Sequence, residues 1–316
     1  MMYNGVKPCI RLNIYMTRIP LRSPSILRAA VGVSFLFVFL SAASAQKNAL
    51  PPAELVRRTV HNEIAASHTP DKYFFRDHVK KPHGSQTKLM VQTREGMAGL
   101  IVRLDGHPLT EEQKQSERAR VERFIKNPDE LKKKQKQEAE DEDRTNRIMK
   151  ALPDAFLYEY DGTTMGNAEL GSSGHELLRL KFLPNPDYEP PTRVEQVLTG
   201  MAGHLLIDGA ERRIAEIDGT LIKEVSFGWG IFGHLDKGGR FVVRQANVDN
   251  GHWELTRMEL SFTGKILLFK NLSIKSEETE SHFQRVPNEL SFAQGVQLLE
   301  DHAEKMDNPP QQARKD

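Results

Sequence analysis

Cysteine is almost missing from this 316-residue chain, and the one copy, Cys9, sits near the N-terminus. Without a second cysteine there is no internal disulfide, so the core must hold without covalent staples. Long hydrophobic runs are missing as well. The run Ala29–Leu40 is a dozen residues, against the about 20 that a spanning helix needs. An excess of basic charge is also absent: the net charge is +1. Residues 1–45 hold five Lys/Arg and no acidic residue, so without them the charge becomes −4. Nucleic-acid binders are usually strongly basic, which argues against that class of partner.

What the N-terminus does contain is an export signal. Arg18, Arg22 and Arg28 precede the apolar run, and Ala43-Ser44-Ala45 follows it. A basic region, a short apolar region and small residues at the cut are the three parts of a secretory signal peptide. Cleavage is expected between Ala45 and Gln46, with Met16 as an alternative start. No cysteine follows the apolar run, which argues against a lipid anchor. A periplasmic or secreted protein of 271 residues, with no transmembrane segment after cleavage, is the expectation.

Downstream, Leu198–Arg285 reads as consecutive short strands. Asp208-Gly209, Asp218-Gly219, Lys237-Gly238-Gly239, Asp249-Asn250-Gly251 and Thr263-Gly264 all carry residues suited to tight turns between apolar or alternating segments. Such spacing leaves no room for crossover helices, so the sheet must be largely antiparallel. Ahead of it, Ala53–His68 has helical periodicity after Pro51-Pro52. Strands are expected at Tyr73–Val79, Gln86–Thr93, Met97–Leu104, Phe156–Tyr160 and His175–Phe182. The prolines of Leu183–Pro191 make that stretch an extended loop.

Between Leu109 and Lys150 the composition changes to dense charge with few apolar residues. Thr110 with Gln113 fits a capping box, and Asn127-Pro128 divides the stretch into two helices. So few core contacts imply a solvated arm docked by a narrow stripe. The domain layout expected is a signal peptide over 1–45, one domain over 46–287 carrying the 109–150 insertion, and a polar, partly disordered tail over 288–316 with one short helix through Val296–Leu299 and disorder from Asp307.

No catalytic constellation stands out. Gly228-Trp229-Gly230-Ile231-Phe232-Gly233 matches a dinucleotide fingerprint in letter, but His234–Gly239 cannot start the helix that the pyrophosphate needs. An aromatic hairpin connection fits better. His78 and His83 lack a third ligand, so no metal site is expected. Glu140–Asp143 lacks the spacing of a calcium loop, and Gly171-Ser172-Ser173-Gly174 lacks that of a nucleophile elbow. An antiparallel sheet with so few amphipathic helices either closes on itself or keeps an apolar face that holds something.

Several local motifs carry a resemblance. Tyr73-Phe74-Phe75-Arg76 follows the first helix. Leu198–Asp208 runs into Glu211-Arg212-Arg213-Ile214, Val248–Leu255 carries Asp249, Gly251, His252, Trp253 and Glu254, and Ser281–Arg285 closes the series. In these segments the chain resembles the periplasmic outer-membrane lipoprotein-sorting superfamily, the LolA/LolB/RseB-like half-barrels. It departs from that pattern in the 109–150 insertion and in Glu254-Leu255. The resemblance implies a mainly β (α+β) fold: an antiparallel, unclosed half-barrel with an N-terminal helix and the charged helical insertion on or near the concave face. It also implies a non-enzymatic carrier or sensor whose hollow takes an acyl chain, a lipoprotein or another apolar ligand, with no cofactor. Lining residues expected on this basis are Leu206, Phe227, Trp229, Phe232, Phe241, Trp253 and Phe269. An envelope interaction module binding a protein partner through the charged arm is the alternative. N-terminal sequencing of the exported protein is expected to begin at Gln46; Met1 or Met16 retained in a membrane fraction would contradict the signal-peptide reading.

Overall fold

The computed structural model describes residues 50–67, 71–228, 232–266 and 270–307. The segment expected to be an export signal, Trp229 and Phe269 therefore lie outside the described residues. No helix among the described residues is long and apolar enough to cross a membrane.

Helix α1 (Pro52–Ala66) starts where Pro51 and Pro52 fix the entry, and it buries Leu55, Val56, Thr59 and Val60 along one stripe. Three strands follow as a meander: β1 (Lys72–Lys81), β2 (Gly84–Thr93) and β3 (Gly96–Leu104), with a two-residue β4 (His107–Pro108) at its edge. Helix α2 (Glu111–Lys126) opens with the capping box: the Gln113 N–H donates to Thr110 Oγ1 at 3.3 Å, and the Thr110 N–H donates to Gln113 Oε1 at 2.9 Å. Pro128 sits in the first turn of α3 (Pro128–Ala155), and Asn127 caps it. Then come β5 (Phe156–Met165), β6 (Glu176–Pro184), short α4 (Arg193–Gln196), β7 (Met201–Asp208), β8 (Arg213–Leu221), β9 (Val225–Phe227), β10 (Gly233–Leu235), β11 (Arg240–Asp249), β12 (His252–Ile266), β13 (Lys270–Val286) and α5 (Phe292–Asp307).

The strands form one antiparallel sheet in the order β4-β3-β2-β1-β13-β12-β11-β8-β7-β6-β5, with the β9–β10 hairpin paired onto β12. The sheet does not close: β4 and β5 are its two ends. The half-barrel expectation holds at the level of an unclosed, mainly antiparallel sheet with helices. Strand β13 pairs with β12 through its first half and with β1 through its second, which joins the N-terminal meander to the rest.

Two of the expected turns are strand interior. Asp218-Gly219 lies inside β8 and Thr263-Gly264 inside β12. Both glycines serve close approach rather than reversal. A Cβ at Gly219 would sit 2.6 Å from the Phe241 ring, and one at Gly264 would collide with the His234 carbonyl where β10 pairs onto β12. The Asp249-Asn250-Gly251 turn is real, with Asn250 at φ 41° and Gly251 at φ 92°.

There are two main cores. One joins α1, the end of α3 and strands β5–β12 through residues such as Val56, Leu152, Phe182, Leu205, Ile214 and Phe227. The other packs Phe74, Leu89, Val91 and Leu100 against Val121 and Phe124 of α2 and Phe292, Val296 and Leu299 of α5. The tail expected to be polar over 288–316 thus carries a core helix through Asp307. Its anchors at 292, 296 and 299 follow helical spacing inside a polar composition.

The insertion is more than a solvated arm, because its charged side chains complete the edge of β3. Met97 N–H donates to Glu138 Oε2 at 3.3 Å, and Ile101 N–H donates to Glu117 Oε1 at 2.7 Å. Arg120 donates to the Gly99 carbonyl at 2.7 Å, and Gln135 to the Glu95 carbonyl at 2.9 Å. Side chains here replace a neighbouring strand, which is one way to blunt an exposed sheet edge. Glu117→Ala would strand the Ile101 N–H and take from Arg120 its carboxylate partner, leaving its bond to the Gly99 carbonyl. Chemical denaturation is expected to show a loss of about 1–3 kcal/mol, while exposed Glu112→Ala stays within about 0.5 kcal/mol.

Candidate functional site

The last turns of α3 lie across the inner face of β5–β8. Ile148, Met149 and Leu152 repeat at helical spacing and leave a cavity of about 40 Å³ beneath them. Its remaining wall is Phe156, Tyr158, Phe182, Val197, Leu198, Met201, Leu205, Ile217 and Phe241. Every lining side chain is apolar or aromatic. Voids of this kind stay dry and receive apolar groups.

The strand ends hold α3 in place. A helix leaves its last four carbonyls without intrahelical partners, and here three of them are met from outside. Tyr158 Oη donates to the Leu152 carbonyl at 2.8 Å, Asn185 Nδ2 to that of Asp154 at 2.9 Å, and the Asn185 N–H to that of Ala155 at 2.9 Å. Burial, with the charge of Asp154 added, raises the Tyr158 phenol far above its ordinary pKa, so it remains a donor. The Phe156 and Phe182 rings pack 4.6 Å apart below it.

A second, larger hollow of about 380 Å³ opens beside the first, between the end of α1, α3 and strands β1, β2, β11, β12 and β13. Its lining is mixed: charged residues such as Glu63, Asp141, Arg213 and Glu254 alternate with Met97, Val243, Trp253 and Leu255. Met149 stands in the wall of both spaces. One flexible thioether side chain therefore stands between a wholly apolar void and a wider hollow of mixed, partly charged lining.

Of the residues expected to line a hollow, Phe241 lines the apolar cavity. Phe227 is fully buried in the main core, and Phe232 packs half-buried against that core with the Arg193 guanidinium 4.1 Å from its ring centre. Leu206 and Trp253 meet Leu177 and Ala215 in a separate small cluster, so the structure does not bring them to Phe241, but Trp253 also lines the larger hollow. The chief lining residues missed by sequence reasoning are Ile148, Met149 and Leu152, hidden at the end of a charged run. Their i, i+1, i+4 spacing was the available signal. Of the histidines weighed for metal binding, His78 contacts Thr87 Oγ1 at 3.0 Å. His175 instead lies beside Asp208 and Glu211.

No family model and no curated protein matches the chain. Among solved structures, it is similar to a DUF1329 family protein from Desulfovibrio piger at 10% identity, covering 74% of this chain and 93% of that one, with a TM-score of 0.28. That likeness is too distant to transfer a fold or a function.

Tyr158→Phe removes one tie from the α3 terminus. It is expected to cost about 1 kcal/mol and to speed amide exchange in residues 148–155 relative to α1. Unchanged exchange there would mean that the helix end is held by packing alone.

Proposed function

We propose that this is an exported, non-enzymatic carrier or sensor that shelters an acyl chain or similar apolar segment beneath the end of α3. The observation that carries the reading is the position of Met149 between a wholly apolar void and an open hollow that carries charged groups. An amphipathic ligand fits that division, with its chain in the void and its polar end in the hollow. The void holds only the beginning of a chain, so binding requires Met149 to turn aside and the end of α3 to lift. Methionine suits such a gate because it is unbranched and repacks readily. Affinity then accrues at about 0.8 kcal/mol per buried methylene, with no covalent step. The signal-peptide pattern supports a periplasmic setting, and the lipoprotein-sorting resemblance supports the same class of ligand.

The test is titration of a fluorescent monoacylglycerol, whose head group is uncharged, into the wild-type protein and Leu205→Phe. The larger side chain fills the void. Excluding two methylenes is expected to weaken binding roughly tenfold, with the thermal midpoint unchanged or raised because a cavity has been filled. If the wild-type protein binds no acyl probe, or Leu205→Phe binds as well as wild type, the carrier reading fails and an envelope interaction module takes its place.

A further inference from the structure

A second constellation lies behind Trp253, which also lines the larger hollow, where three separate stretches of chain converge. The turn before β6 supplies Ser172 and His175, the β7–β8 turn supplies Asp208 and Glu211, and the β11–β12 hairpin supplies Asn247 and Trp253. Asp208 is fully buried, and its Oδ1 accepts the N–H groups of Ala210 at 3.0 Å and Glu211 at 2.9 Å. That fixes the carboxylate and aims Oδ2 at His175 Nδ1, 2.9 Å away. Glu211 is held just as firmly. Trp253 Nε1 donates to its Oε2 at 2.6 Å, and Ser172 Oγ and Asn247 Nδ2 donate to its Oε1 at 2.6 and 3.1 Å. His175 Nδ1 is 3.8 Å from that same Oε1.

We propose that His175, Asp208 and Glu211 form a binding site for a divalent transition-metal ion, with zinc the best fit. One ring nitrogen and two carboxylate oxygens lie within 4.8 Å of one another. Donors on a tetrahedral zinc at ordinary bond lengths are about 3.4 Å apart, and the 2.9 and 3.8 Å separations at His175 bracket that value. The ion enters between the three atoms and displaces the hydrogen-bonded proton from Nδ1. Asn247, the more distant of the two donors on Oε1, yields its place. Charge favours this exchange. Two carboxylates sit side by side, and their ion pairs among the described residues are both to His175. A divalent cation carries the two positive charges that balance the pair.

The donor set also selects the ion. An imidazole with two carboxylates suits zinc or its neighbours, whereas calcium and magnesium take sites built from oxygen alone. The hydrogen bonds from Trp253 and Ser172 orient Glu211 as outer partners orient metal ligands generally. The His175 side chain is 39% exposed, so the ion has an entry path and room for water as a fourth ligand.

The experiment uses purified protein without a histidine tag, stripped with chelator and then titrated with zinc chloride. Calorimetry and bound-metal analysis give stoichiometry and affinity, and a thermal scan is run with and without zinc. One zinc per chain and a raised midpoint are expected for wild type. His175→Ala and Glu211→Gln should each weaken affinity on the order of 100-fold and abolish the midpoint rise, with circular dichroism unchanged. Trp253→Phe, which removes only the outer N–H, should weaken it between about 10-fold and 100-fold. The proposal is overturned if wild type takes up no stoichiometric zinc, or if His175→Ala retains wild-type affinity.

Discussion

Along β3 the outward backbone groups are met by side chains of α2 and α3 instead of another strand, and the rest of the molecule is arranged around that substitution. An open antiparallel sheet has an edge that invites pairing and an inner face that must be covered. The 111–155 helices address both needs in one continuous segment. Glu117, Arg120, Gln135 and Glu138 serve the edge, and Val121 and Phe124 dock α2 on the second core. Met149, Leu152 and Ala155 then cover part of the inner face. Because β5 begins directly at Phe156, the cover is tied to the sheet it shields.

This arrangement explains why dense charge and burial coexist in the insertion. Glu117 and Lys134 count as buried, yet neither is an isolated charge in an apolar core. Glu117 accepts from a backbone N–H and from Arg120, while Lys134 pairs with Glu138. Composition alone cannot separate such a helix from a hydrated one, since both are charged on most faces. Only the geometry of the edge distinguishes them.

Much of the local structure was legible from the residues. Pro51-Pro52, the Thr110–Gln113 pair, Asn127-Pro128 and the Asn250-Gly251 turn act over a few residues, and each does what its chemistry dictates. Gly219 and Gly264 were misread because a glycine needed for close approach looks like a turn glycine until Phe241 and β10 are in place. Helix α5 was legible only as a short helix through Val296–Leu299; its length and core role were hidden because three anchors in sixteen residues barely shift the composition. The site was the least legible part. Met149 acquires meaning only when α3 crosses the strands, and His175 meets Asp208 and Glu211 only through pairing of β6 with β7 and of β7 with β8.

The proposed function requires the end of α3, a cover held by apolar contacts and three carbonyl caps, to lift for an apolar guest. Spin labels at Lys150, exposed on α3, and Lys181, exposed on the outer face of β6, report that movement directly. Pulsed electron–electron resonance distances are to be compared with and without monoacylglycerol. The account predicts that ligand lengthens or broadens the 150–181 distance while a control pair within β6 and β8 stays fixed. An identical 150–181 distribution at saturating ligand would contradict it.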